Sequence, residues 1–238
     1  MAYKERSRIA WLCMLYRDRV GRESMAFLRY LQSRWDDILE QAIAHAEVVL
    51  ISLLIATVIG VTAGVLIYRR ERVAEGVLAV TSTFLTIPSF ALFGLLVPIL
   101  GLGWPPTVLA LVMYALLPIV RNTVVGLRSV DPAIAESAQG MGMSPWMRLL
   151  RIELPLAWPV IITGIRVSTL IIVGIAAVAA YVNGPGLGSD IFRGLSRIGS
   201  AGALNQILSA VLGIVVLAVL FDGFFAVVGK LTTSRGLK

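Results

Sequence analysis

The sequence has very little from which a metal site, a disulfide or a catalytic centre could be built. It contains one cysteine, Cys13, and one histidine, His45, in 238 residues. A single cysteine excludes an intrachain disulfide and a multi-cysteine metal site, and a single histidine excludes a histidine-pair site. No catalytic carboxylate pair and no nucleophile–base motif stands out. We therefore expect no metal ligands and no enzymatic chemistry in this chain.

Charged residues are also scarce. They make up 15% of the chain, whereas hydrophobic residues make up 58% and the mean hydropathy is +0.86. A soluble domain of this length would carry about 25% charged residues. The net charge of +7 comes mostly from basic residues at the ends of apolar runs, which is the placement that membrane orientation produces. No aromatic interleaving supports nucleic-acid binding, so we expect a lipid bilayer and not a nucleic acid as the partner.

Five apolar runs are long enough, at about 20 residues, to cross a bilayer as helices. We predict an all-α, polytopic transmembrane helix bundle of about five spans, near residues 48–68, 76–100, 106–127, 156–182 and 206–228. Gly60 and Gly64 form a small-xxx-small pair that would let another helix pack closely. Pro88 removes a backbone donor within the second run, so this span should be kinked or broken, either to line a pathway or as simple bending.

The two ends of the chain differ from this apolar middle. Residues 1–46 are basic and contain scattered Trp and Leu, which suits either a helix lying on the membrane surface or a solvated tail. Residues 47–229 form the predicted transmembrane domain, and 230–238 a cytoplasmic tail. With five spans and basic loops inside, the N-terminus should lie outside and the C-terminus inside. The basic N-terminal segment disagrees with this orientation unless it is long enough to escape the rule or an extra half-crossing exists near Pro88.

Three charged residues lie inside the predicted spans, where charge is costly and usually functional. Arg121 is close enough to the basic end of its run to snorkel to the cytoplasmic boundary. Arg166 is too deep for that, and an ion pair with Glu136, Glu153 or Asp222 is favoured over contact with a transported solute. The candidates for the pathway or the bundle interior are Pro88, Arg121, Arg166 and Asp222.

The polar stretch 130–155 interrupts the apolar runs and carries two helix-start signals. Asp131-Pro132 and Ser144-Pro145 each place a capping side chain before a proline at the first helical position. Glycines 140 and 142 permit a sharp turn between the two helices. We predict a helix–turn–helix hairpin that Pro155 closes before the next span, forming a knob on which a partner outside the bilayer can dock.

Within this stretch, Glu136-Ser137-Ala138, then Gly142, then Ile152-Glu153-Leu154-Pro155 resembles the EAA loop of ABC-importer permeases; the one departure is Ser137 in place of alanine. The resemblance implies a type I, methionine-importer-like permease core. It also implies that the loop is the coupling helix that contacts a cytoplasmic ATPase dimer. The residues assigned to this contact are Glu136, Ser137, Ala138, Gly140, Met141, Gly142, Met143, Ser144, Pro145 and Trp146.

Further segments resemble the permeases of osmoprotectant importers for glycine betaine, choline or carnitine. They are TIPS at 86–89, LFGLLVPILGLG at 92–103, LALVMYALLPIVRNTVVGL at 109–127, LPLAWPVIITGIR at 154–166 and GPGLGSDIFRGL at 184–195. The resemblance implies a second permease subunit, identical or paralogous, an extracytoplasmic substrate-binding protein, and ATP and Mg²⁺ bound by the ATPase. Its location would be a prokaryotic cell membrane. The alternatives are a permease for another solute such as methionine or a sulfonate, or an ATPase-independent channel or scaffold.

Overall fold

A computed structural model describes residues 25–232, and within them the chain is helical almost throughout. A short helix α1 covers residues 25–33. The remaining helices are α2 (Trp35–Ile67), α3 (Glu71–Thr86), α4 (Ser89–Leu100), α5 (Trp104–Arg128), α6 (Pro132–Gly140), α7 (Pro145–Arg148), α8 (Leu154–Val178), α9 (Gly188–Ser196) and α10 (Ala203–Thr232). A π-helical turn, Leu149–Glu153, joins α7 to α8, and a 3₁₀ turn, Ala179–Val182, follows α8.

Four of these helical stretches are long and apolar enough to cross a membrane: α2, α5, the continuous stretch Pro145–Val182, and α10. A fifth candidate is the pair α3 and α4, which pass the same test of length and composition only when they are taken together. These two helices meet at 98° across the break at Ile87-Pro88, so the predicted interruption of the second span is confirmed. Tyr114 of α5 donates a hydrogen bond of 2.6 Å to the carbonyl of Ile87, which satisfies a backbone acceptor freed by the break.

The crossings connect two distinct ends of the bundle. We call them the hairpin end, which carries Tyr68, Arg128 and residues 131–153, and the loop end, which carries Gln41, Gly103 and residues 183–200. At the hairpin end Arg128 donates to the carbonyl of Tyr68 over 2.8 Å. At the loop end the amide of Gly103 donates to Val182, and Ser189 donates to the side chain of Gln41. Helix α2 therefore begins at the loop end, and α10, whose Thr232 accepts a bond from Trp158 of α8, terminates at the hairpin end. Which end lies inside the cell stays a prediction.

Helix α5 lies at the centre of the bundle, between α2 and α8. Gly60 and Gly64 of α2 lie against it so closely that an added Cβ would come within 2.7 Å of Ile119 and 2.6 Å of Thr123. On the other side of α5, a Cβ at Gly164 of α8 would come within 2.6 Å of Asn122. Because van der Waals packing replaces the hydrophobic effect inside a bilayer, these small residues set the distances between the three helices.

The structure extends the helix of one predicted span and overturns one predicted helix boundary. The first span was expected near residue 48, but α2 begins at Trp35 and continues without a break to Ile67, so residues 35–46 belong to the same helix; residues 1–24 of the predicted N-terminal segment lie outside the described residues. Pro155 was expected to close the hairpin, but the chain stays helical from Pro145 to Val182. The π turn accounts for this, because the amide of Leu154 bonds five residues back to Leu149, and this wider turn immediately precedes the proline ring.

Candidate coupling site

The hairpin is formed by α6, a four-residue connection at 141–144 and α7. The Asp131 carboxylate accepts a bond of 2.8 Å from the amide of Ala133, which caps α6, and Ser144 accepts a longer bond of 3.4 Å from Met147, which caps α7. At the end of α6 the amide of Met143 donates to Ala138, and that of Gly142 donates to Gln139. This pair of bonds is a Schellman motif, and Gly142 occupies its left-handed position with φ of +83°.

The hairpin exposes several large apolar side chains. Met141 is 71% exposed and Trp146 65% exposed, and the exposed side chains of Ile134, Met147 and Leu150 extend the same kind of surface. A cluster of exposed large apolar residues on a polar loop is typical of a protein-binding surface. The structure therefore exposes apolar side chains on the part of the chain that the sequence assigned to ATPase contact, and the contact itself stays a prediction.

The other predicted coupling residues divide between this surface and the interior. Glu136 and Ser137 are exposed on α6, and the Ser137 hydroxyl donates 2.7 Å to the carbonyl of Ala133. Ala138 is 1% exposed and packs inward. Gly140, Ser144 and Pro145 are exposed and Met143 is half-buried. No side chain of α6 other than that of Ala138 is buried, so nearly all of the surface of this helix is exposed within the described residues.

One buried carboxylate joins the hairpin to the rest of the bundle. Glu153, whose side chain is 6% exposed, accepts 2.8 Å from Arg148 and 3.2 Å from Arg69. The hydroxyl of Tyr68 donates to the same carboxylate over 2.5 Å. Arg148 also donates 3.2 Å to the side chain of Gln139 on α6. Because Tyr68 and Arg69 follow α2, this Glu153 cluster joins the end of α2, both helices of the hairpin and the start of α8.

Tyr68 is in its neutral form within this cluster. Burial, and next the hydrogen bond to the Glu153 carboxylate, raise the pKa of the Tyr68 hydroxyl to about 12. At physiological pH the hydroxyl therefore always has a proton to donate to Glu153. The backbone carbonyl of the same tyrosine accepts the bond from Arg128, so α5 is tied to the cluster as well.

The candidates inside the membrane are placed in different parts of the bundle. Arg166 of α8 and Asp222 of α10 form a two-pronged ion pair with distances of 2.5 and 2.6 Å. Asp222 is thus the partner of Arg166, and the alternatives Glu136 and Glu153 were wrong, since Glu136 is exposed on α6 and Glu153 binds Arg69 and Arg148. Pro88 lies exposed at the junction of α3 and α4, and Arg121 lies exposed on α5.

Sequence reasoning missed the Glu153 cluster. The available signal was weak: Glu153 is an acidic residue between Arg151 and an apolar span, close to Arg148. Its other partners, Tyr68 and Arg69, are 85 and 84 residues away in the chain. Residues so far apart are brought together only by the packing of α2 beside α8, which no local pattern specifies.

The chain is similar to known transport proteins over most of its length. Residues 56–233 match the family described as binding-protein-dependent transport system inner membrane component. A choline transport system permease protein of Bacillus subtilis is 33% identical over 89% of this chain and 95% of its own length. An osmoprotectant import permease protein of Salmonella typhimurium is 37% identical over 82% of this chain and 91% of its own. A carnitine transport permease protein of Listeria monocytogenes is 37% identical over 72% of this chain and 78% of its own.

Solved structures show the same fold. A chain of the methionine ABC transporter MetNI, in an inward-facing conformation, superimposes with a TM-score of 0.73 over 83% of this chain and 96% of that chain, at 21% sequence identity. The predicted all-helical, type I permease core is confirmed by this match.

Proposed function

We propose, from the premise that this chain belongs to the binding-protein-dependent transport system inner membrane component family, that it carries quaternary-amine osmoprotectants such as glycine betaine, carnitine or choline. As a member of that family it is a membrane-embedded permease of an ABC importer. The observation that supports the solute is that relatives sharing 33–37% identity over most of the chain are named for choline, carnitine and osmoprotectant transport. The methionine transporter shares the fold at only 21% identity.

In the proposed mechanism this chain pairs with a second permease, identical or paralogous, to form the passage across the membrane. An extracytoplasmic binding protein delivers the solute. A cytoplasmic ATPase dimer, which binds ATP and Mg²⁺, docks on the hairpin through Met141, Trp146 and their apolar neighbours. No group of this chain is needed for hydrolysis. The choice among quaternary amines rests largely with the binding protein, where aromatic rings favour such cations.

The Glu153 cluster supports the coupling step of this proposal. A moving ATPase does work on the passage only if it binds the two states of the passage with different free energies. For that, displacement of the hairpin must reach the membrane helices instead of being absorbed in a loose loop. Glu153 lies in the helical connection from α7 to α8 and binds side chains that follow α2, so a shift of the hairpin acts on both spans.

Uptake by the purified complex tests this function. The complex is isolated through a tag on this chain, its subunits are identified, and it is reconstituted into vesicles with the co-purified ATPase and binding protein. We expect ATP-dependent accumulation of radiolabelled glycine betaine, choline or carnitine, and no accumulation with a non-hydrolysable ATP analogue. ATP-dependent uptake of methionine in place of these three solutes would contradict the proposed solute. Flux that needs no ATP would contradict the importer itself.

A further inference from the structure

The ion pair between Arg166 and Asp222 lies near the middle of the membrane. The indole of Trp158 on α8 donates 2.9 Å to the hydroxyl of Thr232 on α10, so these two residues mark one level near the hairpin end. Tryptophan at such a level is typical of the membrane–water boundary. At 1.5 Å per residue, Arg166 is about 12 Å and Asp222 about 15 Å further along their helices. In a hydrocarbon core about 30 Å thick, that depth is close to the centre.

The pair is not enclosed by the chain itself. The side chain of Arg166 is 42% exposed and that of Asp222 is 36% exposed. Charged groups at the centre of a bilayer are costly and face either protein or a water-filled cavity instead of lipid. The surface on which these two side chains lie is therefore not covered by lipid tails.

The surrounding residues show which surface this is. Exposed residues recur along α8 at the spacing of a single helix face, so they form one stripe beside Arg166; its members are Thr163, Val167, Leu170 and Gly174. On α10, the side that packs towards α2 is marked by a groove lined by Leu217, Leu220, Phe221 and Phe224 together with Ala46 and Leu50 of α2. At about 100° per residue, Asp222 lies roughly opposite that groove. The pair and the α8 stripe thus face away from α2.

We propose that the α8 stripe and the Arg166–Asp222 pair line the water-filled passage through which the solute moves. This inference rests on the proposed function, because it assigns residues of this chain to the wall of the transporter's passage. A bidentate pair of opposite charges makes the wall polar while leaving it without net charge. Such a wall neither repels a permanently cationic head group nor holds it, and a conducting site must bind weakly enough to release its solute.

Labelling of engineered cysteines tests the assignment. In a Cys13→Ser background, V167C and L170C place a thiol on the stripe, and V58C places one on α2. Val58 is 68% exposed and lies about 13 Å from the hairpin end of α2, a depth similar to that of the ion pair. The probe is a charged, lipid-insoluble methanethiosulfonate applied to permeabilised membranes. Because it reacts with the thiolate, which hydrocarbon disfavours, we expect V167C and L170C to react about tenfold or more faster than V58C.

The outcomes separate the alternatives. Equal, slow labelling of all three variants would show that lipid covers the stripe and would overturn the proposal. Slow labelling of V167C together with an oxidative cross-link between two copies would show a dry protein interface, which also overturns it. Uptake of glycine betaine is measured for the same variants in sealed vesicles that contain the reconstituted complex. Fast labelling without uptake would contradict the proposed solute while the passage stands, whereas uptake with slow labelling would contradict only the passage.

Discussion

Glu153 and Glu136 are the same residue type seventeen positions apart, but their surroundings differ completely. The Glu153 side chain is 6% exposed and accepts bonds from two arginines and a tyrosine, whereas Glu136 is exposed on α6. A hydrogen bond to a charged group contributes about 1.5–3 kcal/mol, and a buried charge left without partners costs more. Loss of the buried carboxylate would therefore leave its two arginines without this partner, whereas the exposed one is available to a partner.

We predict that E153Q weakens both stability and coupling. The glutamine side chain lacks the negative charge that faces Arg148 and Arg69 in the native protein, so we expect a loss of about 1–3 kcal/mol in the free energy of unfolding. We also expect less solute to be moved per ATP hydrolysed. Thermal unfolding in detergent and the ratio of uptake to ATP hydrolysis measure the two effects. E75Q on the exposed side of α3 is the matched control, and exposed changes of this kind usually alter stability by less than about 0.5 kcal/mol. If E153Q behaved like E75Q in both assays, the cluster would have no role in coupling.

The hairpin is the element on which the proposed mechanism depends, and its shape depends on the reversal of the chain after α6. That reversal requires a left-handed residue, and Gly142 with φ of +83° provides it. A Cβ at this position would meet no neighbour within 4 Å, so any cost of replacement comes from the backbone alone. For an L-residue this cost is about 1–2 kcal/mol.

We therefore predict that G142A impairs docking of the ATPase while G140A does not. Gly140 also has open space around it, but it belongs to α6, where alanine is favoured over glycine by about 1 kcal/mol. A strain of 1.4 kcal/mol corresponds to about a tenfold change in an equilibrium constant. We expect the affinity of the permease for its ATPase to fall by up to about tenfold in G142A, as measured by titration of one purified subunit into the other. Equal affinities for the two variants would mean that the turn does not present the docking surface.

Across the whole molecule, α5 is the helix around which the others are arranged, and contacts between small residues determine how closely they approach it. An added Cβ at Gly64 would lie 2.6 Å from two side-chain carbons of Thr123, a residue that is itself fully buried. Neither the added methyl group nor the Thr123 side chain has free space into which it could move. By contrast, a Cβ at Gly174 of α8 would meet nothing within 4 Å.

We predict that G64A destabilises the bundle by about 1–3 kcal/mol, the usual cost of overpacking a well-packed interior. G174A should leave stability unchanged or raise it by up to about 1 kcal/mol, since it removes a glycine from a helix interior. The midpoint of thermal unfolding in detergent, measured for both variants at the same protein concentration, checks the difference. A midpoint for G64A equal to that of G174A would show that α2 and α5 can separate freely, contrary to the packing seen here.

The sequence by itself determined the features that depend on local chemistry. Apolar runs of sufficient length identified the spans, capping residues before prolines identified the two hairpin helices, and Pro88 identified the break in the second span. The spacing of the EAA motif identified the family. Its five fixed positions lie within one loop, so they can be recognised without knowledge of contacts between distant residues.

Only the tertiary structure decided which distant groups meet. It paired Arg166 with Asp222 from three possible partners, and it gathered Tyr68, Arg69 and Arg148 around Glu153. It also showed that the helix continues through Pro155, because the π turn before the proline allows it to do so. The physical reason is the same in each case. A hydrogen bond or ion pair between residues far apart in the chain depends on how whole helices pack, and that packing is set by many small steric contacts that no single segment of sequence contains.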